Sequence, residues 1–145
     1  MLRTRSQQRN RRRGSVVLEA ALILPILLVI VFASIEFGYA FYVKHTLQGA
    51  AREGARAGIV PGADNASITS ACGDAMTNGG MNGVSYTVTI TNNAGGTIDA
   101  STLDAGEPLV VTVKAPWSQF SVFLSGFGNF VKGDLSGRTV MRREG

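Results

Sequence analysis

The stretch Arg11-Arg12-Arg13-Gly14-Ser15-Val16-Val17-Leu18-Glu19 joins an arginine-rich start to an apolar run that reaches Ile35. From Val16 to Ile35 the only charge is Glu19. At about 1.5 Å rise per residue, a helix over this run covers roughly 30 Å, the hydrocarbon thickness of a bilayer. Pro25 lies inside it and removes one backbone donor. Membrane helices tolerate such a break where neighbours satisfy the freed carbonyl. Glu19 is costly in lipid and asks for a reason. It lies about 6 Å, one turn, inside the span, so one explanation is that it snorkels or is protonated at the headgroup boundary. The other starts from Gly14: a cut after it leaves an amine on Ser15. That cation is a natural partner for a membrane carboxylate, in the same chain or in a neighbour, and only a neighbour's amine sets a register between chains.

The residues from Arg13 to Pro25, then Ile35-Glu36-Phe37-Gly38, then Ala50-Ala51-Arg52-Glu53-Gly54-Ala55-Arg56-Ala57-Gly58, carry a specific resemblance. Gly14 followed by Ser15 and Glu19 is similar to the processing site of type IV pilins and pseudopilins, where a prepilin peptidase cuts after the glycine. The three segments in this order resemble the TadE-like family, densely over about the first third of the chain. The resemblance implies a minor pseudopilin of the Tad (Flp-type) pilus machinery of bacteria. It implies as partners the prepilin peptidase, other pilin and pseudopilin subunits and the Tad secretion machinery in the inner membrane. Major Flp-type pilins have tyrosine after the glutamate; here Ala20 follows Glu19, which favours an accessory subunit.

The chain has 145 residues and a formal charge of +4, room for one span and one small exported domain. Six arginines (Arg3, Arg5, Arg9, Arg11, Arg12, Arg13) precede the proposed cut, so +4 less 6 leaves −2. The basic character therefore belongs to a leader beside an apolar span and gives no reason to expect nucleic acid. The positive-inside bias holds that leader in the cytoplasm and sends the C-terminal part across the membrane. A secretory signal cut at Gly38-Tyr39-Ala40 competes for the same residues, although its apolar core is ordinarily shorter, about 7 to 15 residues. The Arg12-Arg13 pair lacks the bulky apolar residues that a twin-arginine signal places after it.

Past the span, helical spacing continues to about Arg56. Phe37, Ala40, Phe41, Lys44, Leu47, Ala51 and Ala55 recur at intervals of three and four and, apart from Lys44, predict one narrow stripe. Gly49, Ala50, Gly54, Ala57 and Gly58 permit close helix approach, although glycine costs about 1 kcal/mol relative to alanine inside a helix. We expect a lengthwise packing surface for other pilin-like subunits here, with Glu36, Arg52, Glu53 and Arg56 among its contacts and Glu53 spaced to pair with Arg56. The plainer alternative is a helix fraying into a loop at Gly58. Tyr39, Phe41 and Tyr42 sit where an interfacial aromatic belt is expected.

Ile59 to Asn65 reads as a linker ending in a helix cap. A short helix follows from about Ala66 to Thr77, with Ile68, Cys72, Ala75 and Met76 on one face, stopped by Asn78-Gly79-Gly80. The period then changes to two. Val84 to Thr91 alternates apolar and hydroxyl residues, Asn92 to Gly96 turns the chain, Leu109 to Ala115 gives a second strand and Arg138 to Arg143 a third. Phe120, Phe123, Phe127 and Phe130, between Trp117 and Val131, read as core cover, with a partner or membrane surface as the alternative.

These readings give an α+β chain in three parts: leader 1–14, transmembrane and juxtamembrane helix 15–58, and an extracytoplasmic domain 59–145 holding a small antiparallel sheet. Catalysis has little to stand on. His45 is the single histidine, in the juxtamembrane helix, and Cys72 the single cysteine, too few for a zinc constellation, and no Ser/His/Asp arrangement is evident around that histidine. Glu19 and Glu36 are about 25 Å apart along a helix, too far to act as an acid/base pair. We expect no cofactor and no enzymatic activity. The competing classes are an uncut membrane anchor whose exported domain binds pilus or envelope components, and an exported enzyme.

Overall fold

The computed structural model describes residues 7–120 and 133–144, with side chains from Ser15 onward. The chain divides into two compact units, Met1–Phe37 and Gly38–Gly145. One helix, α1 (Gln7–Gly58), contributes to both. It continues through Pro25, and within the first unit Ser34 returns its hydroxyl to the Ile30 carbonyl at 2.8 Å, so that polar group is satisfied inside the apolar run.

The second unit adds α2 (Asn65–Asn78) and the strands β1 (Thr87–Thr91), β2 (Pro108–Pro116) and β3 (Asp134–Arg142). The strands form one antiparallel sheet in the order β1-β2-β3. This is the α+β fold with a small antiparallel sheet and a short packed helix. Register places Val88 and Ile90, Val111 and Val113, and Thr139 and Gly137 on one sheet face. That face, Val43, Leu47, Ala50, Ala51 and Ala55 of α1, and Ile68, Cys72 and Met76 of α2 make one core.

The compact unit therefore begins at Gly38 and takes in the part of α1 that the sequence groups with the membrane segment. The reason is packing: a sheet with one apolar face needs a lid, and α2 alone is too short to cover it. Of the stripe read from the sequence, Leu47, Ala51 and Ala55 lie in the core and Ala40 packs against it, but its first part turns outward. Phe37, Phe41 and Lys44 are exposed, while Val43, Leu47, Ala50, Ala51, Gly54, Ala55 and Gly58 are buried. Small side chains let the helix backbone lie close to the sheet, and the bulky phenylalanines are turned away.

α2 starts one residue earlier than its periodicity suggests, because Asp64 caps it. The Ser67 amide donates to Asp64 Oδ1 at 2.8 Å and the Asp64 amide donates to Ser67 Oγ at 3.2 Å, a reciprocal capping box. β1 starts three residues later than the alternation from Val84. Continuing the register would set Ser85 opposite Pro116, which has no N–H to offer. Instead the Gln119 side-chain amide serves as a partner, accepting from the Ser85 amide at 2.9 Å and donating to its carbonyl at 3.2 Å. Val84 and Tyr86 still pack on the core.

β3 begins four residues before the expected Arg138, running through Ser136-Gly137. At Gly137 an added Cβ would lie 2.3 Å from the Leu47 carbonyl carbon and oxygen and 2.4 Å from the Gln48 amide nitrogen. The glycine is there for the close passage of α1. Gln48 completes the contact: its side chain donates to the Arg138 carbonyl at 2.8 Å and accepts from the Arg138 amide at 3.1 Å.

The turn at Asn92 forms, with the Gly96 amide donating to Asn92 Oδ1 at 2.8 Å and Gly95 at φ +87°. It returns the chain along β1, where Thr97 bridges to Thr91, before a 3₁₀ turn at Ala100–Thr102 leads to β2. Trp117 and Phe120 are buried, whereas Phe123, Phe127 and Phe130 lie outside the described residues.

Candidate functional site

Two stretches of α1 hold the residues that the sequence singles out, one in each unit. In the first, Gly14, Ser15 and Glu19 follow one another along the helix, with Ser15 and Glu19 one turn apart on one face. Glu19 is exposed, as are the apolar side chains around it: Val16 at 64%, Leu18 at 74% and Leu22 at 74%. A helix of this length presenting leucine and valine on all sides has no protein core of its own, and only an apolar medium or other helices satisfy it. Among the described residues it is the one helix long and apolar enough to cross a membrane. Glycine at position 14 weakens the helix at the proposed cut, by about 1 kcal/mol relative to alanine. Pro25 lies further along and removes the hydrogen bond to Ala21. Glu36, unlike Glu19, is buried.

In the second stretch the small residues divide. Ala50, Ala51, Gly54 and Gly58 are buried against the chain's own domain. An added Cβ at Gly54 would meet Cys72 Sγ at 2.3 Å, and one at Gly58 would meet Leu109 Cδ2 at 2.5 Å. Cys72 fills that space as a small apolar group, with its Sγ 3.4 Å from the Ala50 carbonyl. Burial pushes its thiol up to about 11, so it is un-ionised and shielded at neutral pH. The Ser67 amide and hydroxyl hold the Asp64 carboxyl below its usual value.

Gly49, Arg52, Glu53 and Arg56 take the other side of α1. Gly49 is half-buried and the three charged residues are exposed. With Tyr42, His45, Ala50 and the end of α2 at Asn78 and Gly79, Gly49, Arg52 and Glu53 line an open groove of about 650 Å³. Tyr42 closes one end by donating its hydroxyl to the Gly79 carbonyl. Its ring stacks on Tyr39 at 6.2 Å, and Tyr39 meets Phe120 edge-on at 6.2 Å. The groove joins a helix read from the sequence to the C-terminal end of α2, and only the pattern of small residues hinted at it. Among the described residues no cluster of His, Cys, Asp and Glu could hold a metal ion.

The family model described as TadE-like protein matches residues 14–56, the segment from the glycine of the proposed cut to the last arginine of the groove side. No curated protein matches the chain, and no solved structure does.

Proposed function

We propose, taking residues 14–56 as a TadE-like segment, that this protein is a minor pseudopilin of a Tad-type pilus, cut by a prepilin peptidase after Gly14. The TadE-like match itself ties the chain to the pilus context and to a membrane. One observation carries the finer reading: the matched segment begins at the glycine preceding an apolar helix whose side chains are exposed on every side. The arginine-rich leader holds the N-terminus in the cytoplasm, and α1 inserts once, carrying Gly38–Gly145 to the extracytoplasmic side. Cleavage frees the Ser15 amine. Glu19 then pairs with that amine on a neighbour, and the pair leaves the bilayer without an unmatched buried charge, which would cost several kcal/mol. The partners in this reading are the peptidase, other pilin-like subunits, the inner-membrane Tad machinery and lipid. The role is structural, with no catalysis and no cofactor.

The first experiment is the N-terminus and intact mass of the protein from membranes of a cell with its native pilus machinery. A start at Ser15 is expected. A Met1 start, where another pilin in the same cell is processed, favours the uncut anchor; a start at Phe41 makes it a secreted protein. Glu19→Gln is expected to keep insertion and abolish incorporation into pilus material, whereas a mere anchor would be indifferent to it.

A further inference from the structure

Gly49 lines the groove between α1 and α2, and among the described residues nothing lies within 4 Å of the place its Cβ would take. Glycine is unfavourable inside a helix, and at Gly54 and Gly58 the chain's own packing accounts for it. At Gly49 nothing among the described residues needs the missing side chain. Gly38 is open in the same way; three turns earlier, it points within about 20° of the same direction at 100° per residue. Arg52 and Glu53 stand on opposite sides of Gly49, about 60° one way and 40° the other. A second helix laid parallel on this face, and related by a twofold axis along the helix direction, brings each Arg52 side against the other's Glu53 side. Two reciprocal ion pairs then flank the glycine contact at one height. The incoming Arg52 also faces the C-terminal end of α2 at Asn78, the negative end of the helix dipole.

We propose that this groove seats α1 of a second copy of the chain, packed parallel with Gly49 against Gly49 and with Arg52 and Glu53 exchanged between copies. The self-complementary charges select a copy of the same chain, and exposed charged rims exclude lipid tails as the occupant. Parallel packing rests on the reading of α1 as a single-pass membrane helix.

The test uses the full chain in membranes, with Gly49→Cys as the probe, since the open space at Gly49 leaves the fold undisturbed. Under mild oxidation, Gly49→Cys is expected to give at least tenfold more disulfide-linked dimer than the native chain, whose Cys72 is buried. Gly38→Cys is expected to do the same. Lys44→Cys, exposed on the far side of α1, should stay at the native level. In the Gly49→Cys chain, Glu53→Arg should lower the dimer at least fivefold, and adding Arg52→Glu should restore it. A monomeric Gly49→Cys, equal cross-linking at Lys44→Cys, a product with the mass of a different chain, or indifference to the charge swap would overturn the proposal. The two readings fail separately. A Ser15 start with a monomeric Gly49→Cys removes only the groove contact; a Met1 start with a Gly49→Cys dimer removes only the cleavage.

Discussion

α1 is one continuous helix in two environments. Over residues 16–35 its side chains are mostly apolar and exposed, and over residues 43–58 its inward side chains are buried and, Val43 and Leu47 apart, small. The first stretch is hydrophobic all round and satisfied by whatever surrounds it. The second is selective, because a sheet face, α2 and a groove divide its circumference. The apolar residues of the first stretch should therefore be interchangeable by hydrophobicity as far as the stability of the second unit is concerned, while those in the second depend on shape to within one methyl group.

The largest expected difference is between two leucines. Leu47→Ala, at a fully buried position, should destabilise the second unit by about 2–5 kcal/mol, read by chemical denaturation in detergent. Leu27→Ala, at an exposed position of the first unit, should leave that transition unmoved; equal losses would dissolve the contrast. Next come two glycines. Gly137→Ala forces a Cβ onto the Leu47 backbone and should cost about 1–3 kcal/mol. Gly49→Ala meets nothing and should stabilise the unit by up to about 1 kcal/mol through helix propensity. A loss at Gly49 in the monomeric chain, at high dilution in detergent, would place its role inside the fold.

Smaller still is the effect of acid on the α2 cap. The Asp64 carboxyl is held low by the Ser67 amide, so its folded value lies below its unfolded one. The stabilisation is fully present above the usual carboxylate range and is lost as the pH falls below about 4. Asp64→Asn, which keeps an N-cap oxygen, should flatten this part of the Tm profile between pH 5 and pH 2. An unchanged slope would mean that the acid sensitivity comes from other carboxylates. Finally, the Cys72 thiol, raised to about 11, should resist alkylation at pH 8 in the folded chain and react fully in denaturant. Rapid labelling of the folded chain would show that the α1–α2 contact at Gly54 opens.

Hydropathy, charge order and short motifs are local properties, so the arginine-rich start, the membrane-length helix, the carboxylate after Gly14 and the TadE-like segment were legible in the sequence. The period-two runs disclosed the strands for the same reason, because alternation reports a half-buried sheet face wherever the partner lies. Tertiary structure decided what depends on residues far apart in the chain. It assigned the small residues of α1, giving Ala50, Ala51, Gly54 and Gly58 to the chain's own core and leaving Gly49 open. It carried β3 through Gly137, because α1 passes there. It moved the start of the compact unit to Gly38, since the sheet needs a helical lid. Sequence spacing marks which residues share a helix face, but the same small residues suit a neighbouring subunit or the chain's own sheet. Only the distances among Leu47, Gly137, Cys72 and Leu109 tell these apart.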